Sequence, residues 1–243
     1  MQTAKDAGIL PMMTYAKDGG TSFVFQALMA NNSSAEDVQN WILQKSGTFD
    51  NQAAQDAAST LQDWNNKGYM PEGVNAVDAS TALSRFCNGE GLFFPSGNWN
   101  LDTVAKALGD DVQFFAFPGA TSEDEPNVAA NIPVNAKNRD AAAAFLDYTQ
   151  SAEAQQIIVD NSGYLPKSST LDLKANSALQ QSMFDAYADV LTSGHTSDFI
   201  NNATAGMQSS GLIPNFQLLL DNSITPQEFT KNVQAQYDKE AKR

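Results

Sequence analysis

Short apolar runs alternate with helical segments along the first two thirds of the chain, and this alternation restricts the fold more than any other feature. Runs typical of buried strands occupy residues 9–15, 91–94, 112–118 and 127–135. Segments with apolar residues at helical spacing separate them. The last third, from about residue 175, has a mostly helical pattern. This order predicts an α/β fold with a helical C-terminal region.

Several of the helical segments carry recognisable start and stop signals. Gly68 follows one segment as a C-terminal stop, and Thr225-Pro226 with Glu228 forms a good helix start. The predicted helices cover residues 23–32, 51–67, 81–86, 100–108, 138–150, 151–161, 176–192, 196–208, 212–221 and 226–242.

Composition narrows the classes of partner and cofactor. The 243 residues include 14 basic and 28 acidic side chains, for a net charge of -14, which repels phosphate backbones and argues against nucleic-acid binding. With Cys87 and His195 as the only residues of their types, a zinc site of the usual kind is not expected. We therefore predict no metal and no cofactor. The first residues do not read as a secretory signal.

The sequence contains no familiar catalytic motif. A G-x-S-x-G elbow, a G-x-x-x-x-G-K-[ST] loop and a G-x-G-x-x-G loop are all missing. This favours binding without turnover, so we predict that the protein is not an enzyme. The alternative is a glycoside-active enzyme fragment, in which Asp18 and Glu90 would be the first acids to test.

A tryptophan stands on a polar turn directly after an apolar run. Residues 91–100 read GLFFPSGNWN, which places Asn98 and Trp99 just beyond a predicted strand. In open α/β sheets ligands bind beyond the carboxyl ends of the strands. An aromatic face packs against the C–H face of a sugar ring, and amide or hydroxyl groups satisfy its hydroxyls. The exposed turn therefore suits a neutral polyol.

Three stretches together resemble a known family. Residues 85–119 read RFCNGEGLFFPSGNWNLDTVAKALGDDVQFFAFPG, and residues 131–166 read NIPVNAKNRDAAAAFLDYTQSAEAQQIIVDNSGYLP. The tail contains TPQEFTKNVQAQYDK at 225–239. In this order they resemble the extracellular solute-binding proteins of carbohydrate ABC transporters, the maltose-binding-protein-like family 1.

The resemblance implies a fold and a domain organisation. It implies a type II periplasmic-binding-protein-like fold, of which this chain would be the C-terminal portion, lacking much of the first lobe. Residues 1–117 and 177–243 would form the second lobe. Residues 118–176 would belong to the incomplete first lobe.

The resemblance also implies a function and a location. The protein would capture a sugar or oligosaccharide between two lobes and deliver it to the membrane permease subunits of an ABC importer. It would be a cell-surface lipoprotein or a periplasmic protein. A non-sugar solute such as a polyamine or peptide is the other binding alternative. The ligand-binding positions that the resemblance and the polar strand exits indicate are Asp18, Thr21, Ser22, Asn98, Trp99, Tyr164, Ser209 and Ser210.

Overall fold

The chain forms two compact helical units. The computed structural model describes residues 1–119, 122–123, 130–162, 172–193 and 196–241. Unit 1 comprises the described residues of Met1–Ser96, Phe117–Glu125 and His195–Arg243. Unit 2 comprises those of Gly97–Ala116 and Pro126–Gly194.

Eleven α-helices account for most of the described residues. None of them has the length and apolar character needed to cross a membrane. The helices are α1 (Gln2–Asp6), α2 (Thr21–Ala30), α3 (Ala35–Ile42), α4 (Gln52–Asn66), α5 (Ala79–Cys87), α6 (Leu101–Leu108), α7 (Arg139–Thr149), α8 (Ala152–Ser162), α9 (Ala178–Ser193), α10 (Ile213–Leu220) and α11 (Pro226–Glu240).

Side-chain caps define where several helices of unit 1 begin. Ser34, Asn51 and Asp78 each accept a hydrogen bond from the backbone N–H three residues later, at the starts of α3, α4 and α5. Thr225 and Glu228 form a reciprocal capping box at the start of α11, as the sequence predicts. Each cap satisfies a backbone donor that the first helical turn leaves free.

An aromatic cluster forms the centre of unit 1. Phe25 on α2 lies between Phe49, Phe216 on α10 and Phe229 on α11, with ring centroids 5.3–5.6 Å from its own. All four side chains are at most about 2% exposed. Aromatic pairs at this separation add to the free energy gained by burial. This cluster joins helices that are almost 200 residues apart in sequence.

The predicted strands at 9–15 and 91–94 form only a short parallel contact. Met12 and Phe93 make an isolated bridge, and Phe93 N donates to Pro11 O at 3.0 Å. Leu92 N and Met13 N also donate across the pair, to Leu10 O and Phe93 O. Met12 N donates instead to Tyr69 O, and Ala16 N to Val74 O. The extended backbone is therefore satisfied without a longer ladder.

Two other strand predictions are wrong for the residues that the structure describes. Residues 112–117 are irregular, and Phe114 N donates to the Ser182 hydroxyl of α9 rather than to a strand. Residues 130–135 carry no strand either. The described ladder is instead the parallel pair β1 (Ser122–Glu123) and β2 (Thr196–Ser197).

The helix predicted at 196–208 is also wrong. Its residues divide into β2, a short 3₁₀ turn at Ile200–Asn202 and the start of a π-helix at Met207–Leu212. Conversely, the sequence prediction missed α3, whose Ser34 cap and buried Val38 and Trp41 mark it clearly in the structure.

Unit 2 is built from α6, α7, α8 and α9, and all of these helices except α7 bury apolar side chains. Helix α6 contacts α9, and α7 contacts α8. The amide of Gln180, 1% exposed, donates to Val159 O at 3.1 Å and so joins α9 to α8. Helix α7 has no buried residue, and Phe145 on it is 64% exposed.

The bounds of the two units differ from the predicted lobes. Residues 97–116 and most of 177–194 belong to unit 2, whereas the sequence assigns both ranges to the second lobe. The assignment of 1–117 with 177–243 to one lobe, and of 118–176 to the other, stays a prediction.

Candidate functional site

Residues 15–22, here called the Gly-Gly turn, comprise the loop before α2 in unit 1 and the first two residues of that helix. Thr21 N donates to Tyr15 O at 3.0 Å, and Ser22 N donates to Gly19 O at 3.0 Å. The Ser22 hydroxyl donates to the same Gly19 carbonyl at 2.7 Å. The structure thus brings three predicted ligand-binding residues, Asp18, Thr21 and Ser22, into one compact turn.

Neither glycine of this turn has room for a side chain. Gly19 has φ +84°, and a Cβ there would lie 2.4 Å from Gln208 Nε2. A Cβ on Gly20 would lie 2.3–2.5 Å from the ring carbons of Tyr15. Real Cβ atoms do not approach other atoms so closely, so glycine lets Gln208 and Tyr15 pack directly on the backbone.

Asp18 is held at both its side chain and its backbone. Its carboxylate accepts a hydrogen bond from Ala79 N, at the N-terminus of α5, at 2.9 Å. Its carbonyl accepts one from Gln208 Nε2 at 3.1 Å. The adjacent Lys17 pairs with Asp78, the N-cap of α5, at 3.2 Å. A carboxylate is well placed at a helix N-terminus, so the structure gives Asp18 a fixed orientation.

Three residues in or next to the Gly-Gly turn, or contacting it, carry a buried polar atom without a partner among the described residues. These atoms are the hydroxyls of Thr14 and Thr21, which are 1% and 0% exposed as residues, and the Oε1 atom of Gln208. Each unpaired buried polar group costs about 1–3 kcal/mol. Such groups are rare in folded proteins, and a bound solute or water is one common reason for them.

Tyr15 adds a buried phenol to the same turn. The side chain is 7% exposed. Burial, and then the negative charge of Asp18, raise the pKa of Tyr15 above its ordinary value. The hydroxyl therefore stays protonated at neutral pH and keeps its capacity to donate a hydrogen bond.

Ser209 and Ser210 are exposed on the π-helix Met207–Leu212, next to Gln208. Pro214 has no N–H, so the Ser210 carbonyl cannot receive the α-helical bond from that position. A Cβ on Gly211 would lie 2.8 Å from the Met207 sulfur, which shows how closely this segment is packed. π-helical turns are rare and are frequent at functional sites.

Asn98 and Trp99 lie in unit 2, in the 3₁₀ turn Asn98–Asn100 that precedes α6. The Trp99 side chain is 43% exposed. A Cβ on Gly97 would lie 2.2–2.7 Å from indole carbons, so the ring packs against the Gly97 backbone. The G-x-W spacing therefore has a local structural reason, because a glycine at position 97 leaves room for the indole ring of Trp99.

Some predicted residues fall elsewhere, and others were missed. Tyr164 and His195 lie outside the described residues. The sequence prediction missed Thr14, Tyr15 and Gln208, although Gln208 directly precedes the serines that it singled out. The usable signal would have been Gly211 and Pro214, which interrupt an otherwise regular helical pattern.

Two open cavities in unit 1 contain none of the predicted residues. One, of about 390 Å³, lies beside α3 and includes Trp41 in its lining. That indole is 4% exposed and stacks on Tyr237, so its face is already covered. The other, of about 500 Å³, lies near the end of α4 and includes Asn75. We place the candidate site at the Gly-Gly turn because Thr21 in the turn, Thr14 just before it and Gln208 in contact with it each carry a buried polar atom without a partner among the described residues.

Several solved structures share the fold of this chain. The chain superposes on a chitin oligosaccharide binding protein with a TM-score of 0.80 at 18% identity, covering 99% of this chain and 62% of that one. The maltose-maltodextrin binding protein of Alicyclobacillus acidocaldarius gives 0.67 at 18% identity, with 98% and 64% covered. The solute-binding protein RafE in complex with raffinose gives 0.73 at 14% identity, with 98% and 63% covered.

These likenesses confirm the predicted periplasmic-binding-protein-like fold. This chain spans about 62–64% of the length of those structures. No curated protein sequence matches it. Residues 3–184 match the sequence profile described as bacterial extracellular solute-binding protein, and the chain belongs to that family.

Proposed function

We propose that this protein is the substrate-binding component of an ABC importer and that its ligand is a sugar or oligosaccharide. The observation that carries the proposal is the group of buried, unpartnered polar atoms at the Gly-Gly turn, in a chain of a solute-binding family. Hydroxyl and amide groups match the neutral hydroxyls of a saccharide. The proteins of similar fold named above bind chitin oligosaccharide, maltose-maltodextrin and raffinose.

In this proposal the Gly-Gly turn and Trp99 have different tasks. The turn in unit 1 supplies hydrogen bonds through Thr21 and Ser22. Ser209 and Ser210, which directly follow Gln208 in sequence, are further proposed contacts. Trp99, with Asn98, supplies an aromatic surface for a sugar ring. Tyr164 remains a proposed contact. Residues 1–117 with 177–243 would act as one lobe, and 118–176 as part of the other, closing on the ligand by hinge motion.

The proposal extends to location and partners. A secreted protein, held at the cell surface as a lipoprotein or free in the periplasm, would present the ligand to membrane permease subunits. It would perform no reaction. The partners of the two acids of the enzyme alternative support this: Asp18 binds the N-terminus of α5, and Glu90 pairs with Arg85 at 2.8 Å.

The test is a titration of the chain with raffinose, maltotriose and chitin oligosaccharides, followed by intrinsic tryptophan fluorescence and melting temperature. A ligand that binds the folded state raises the melting temperature. We expect one saccharide class to do so, Trp99→Ala to abolish the fluorescence change, and Trp64→Phe, at a half-buried core position, to retain it.

Two results would overturn the proposal. A folded chain that responds to no saccharide, but to a polyamine with strong salt sensitivity, would favour the charged-solute alternative, because salt screens charge-driven binding. Turnover of a chromogenic glycoside that is lost in Asp18→Asn or Glu90→Gln would favour the enzyme.

A further inference from the structure

The Gln208 side chain contacts the Gly-Gly turn through only one end of its amide. Its Nε2 donates to Asp18 O across 190 positions of sequence. Its Oε1 is buried and has no partner among the described residues. Most buried polar atoms in folded proteins have a hydrogen-bond partner, so the Oε1 atom calls for an explanation.

The turn is built to receive this amide. A Cβ at Gly19 would meet Gln208 Nε2 at 2.4 Å and Cδ at 3.2 Å, so the backbone of the turn lies directly against the amide group. The Asp18 carboxylate and Lys17 tie the same turn to the start of α5. Gln208 is the contact that ties it to the π-helix.

We propose that Gln208 is a positioning residue that fixes the Gly-Gly turn in its binding geometry, which rests on the proposed function. The amide orients the Asp18 carbonyl and with it the backbone that leads to Thr21 and Ser22. The unpartnered Oε1 is the acceptor that a buried water or a ligand hydroxyl completes. Through the same contact the turn and the π-helix bearing Ser209 and Ser210 adopt their positions together.

The test replaces the donor and keeps the shape. In Gln208→Glu a carboxylate oxygen faces the Asp18 carbonyl, so the hydrogen bond becomes a repulsion. We expect amide hydrogen exchange at Gly19, Thr21 and Ser22 to accelerate about tenfold, the change expected for losing one hydrogen bond and adding repulsion. Exchange in α4 should stay unchanged. Gln227→Glu, an exposed position on α11, is the matched control and should leave the turn unaffected.

Binding gives the second readout. The dissociation constant of Gln208→Glu for the saccharide that binds the wild-type chain best should rise about 5- to 10-fold, with raffinose, maltotriose and chitin oligosaccharides as probes. Gln208→Met, which removes both polar ends, should behave similarly.

The outcomes separate this inference from the proposed function. Exchange that accelerates evenly throughout unit 1, or a turn that exchanges as in the wild type, would overturn the positioning role. A wild-type chain that binds none of the probes would overturn the saccharide proposal, while the exchange data would still decide whether Gln208 holds the turn.

Discussion

Helix α4 of unit 1 and helix α7 of unit 2 are both rich in alanine, but they are buried to very different degrees. Helix α4 in unit 1 places Ala54, Ala57, Ala58 and Leu61 in the core. Helix α7 in unit 2 has an apolar composition, RDAAAAFLDYT, yet none of its residues is buried. Apolar sequence alone therefore does not decide burial, because a helix also needs a surface to pack against.

The difference bears on the candidate site. The Gly-Gly turn stands on the well-packed unit, where α2 carries Phe25 into the aromatic cluster. Trp99 lies in unit 2, ahead of α6, which buries Leu101 and Val104, and its own side chain is 43% exposed. A site on a rigid framework is preorganised, which lowers the entropy cost of binding. We therefore expect the Gly-Gly turn to be preorganised for binding.

The largest expected effect compares two phenylalanines. Phe25→Ala removes a fully buried ring from the cluster of unit 1 and should lower the free energy of unfolding by about 3–5 kcal/mol. Phe145→Ala, on the exposed face of α7, should change it by less than about 0.5 kcal/mol. Urea denaturation followed by circular dichroism measures both.

A large cost for Phe145→Ala would break the comparison. It would mean that the apolar face of α7 is covered in solution, for example by a second copy of the chain. Repeating the measurement across a hundredfold range of protein concentration would then identify association, because the stability of an associated state depends on concentration.

A smaller effect compares two helix starts. Thr225→Ala breaks the capping box of α11 in unit 1 and should cost about 1 kcal/mol. Asn138 precedes α7 in unit 2 and makes no capping hydrogen bond with its side chain, so Asn138→Ala should cost only a few tenths. Equal losses in the same denaturation experiment would show that α7 is capped in solution and would narrow the contrast between the units.

The sequence predicted the parts of the fold that depend on local signals. Helices α4, α7, α8 and α11 lie within a few residues of their predicted ranges, because their spacing and end signals act over one or two turns. The strand predictions at 112–118 and 127–135 rest on apolar runs alone. Such a run becomes a strand only where a neighbouring strand can pair with it, and a single sequence does not contain that information.

The candidate site was predicted in the same uneven way. Thr21 and Ser22 lie three and four residues after Asp18, so one polar loop identified all three. Gln208 reaches that loop from 190 positions away, and only tertiary packing creates the contact. The sequence shows the spacing of Gly97 and Trp99, but only the structure shows that the indole ring of Trp99 packs against the backbone of Gly97.

The smallest expected effect concerns acid. Hydrogen bonds from the Thr81 side chain and backbone, and then from Ser80 and Lys17, lower the pKa of Asp78, the cap of α5 in unit 1. A carboxyl with a lowered folded-state pKa contributes stability above its unfolded pKa of about 3.9 and loses it as the pH falls toward the folded value.

Asp78→Asn isolates this contribution, because asparagine still caps a helix but carries no charge to pair with Lys17. Between pH 5 and 7 the melting temperature of the variant should lie about one or two degrees below that of the wild type. A difference of this size is expected for an exposed charge pair. The gap should narrow as the pH falls below about 4, because the carboxyl then takes up a proton in the unfolded state while the lowered pKa keeps it ionised in the folded state. Asp140→Asn, in the first turn of α7, controls for the loss of one negative charge in unit 2. A gap that persists unchanged to pH 3 would mean that Asp78 stabilises α5 through its shape as a cap and not through its charge.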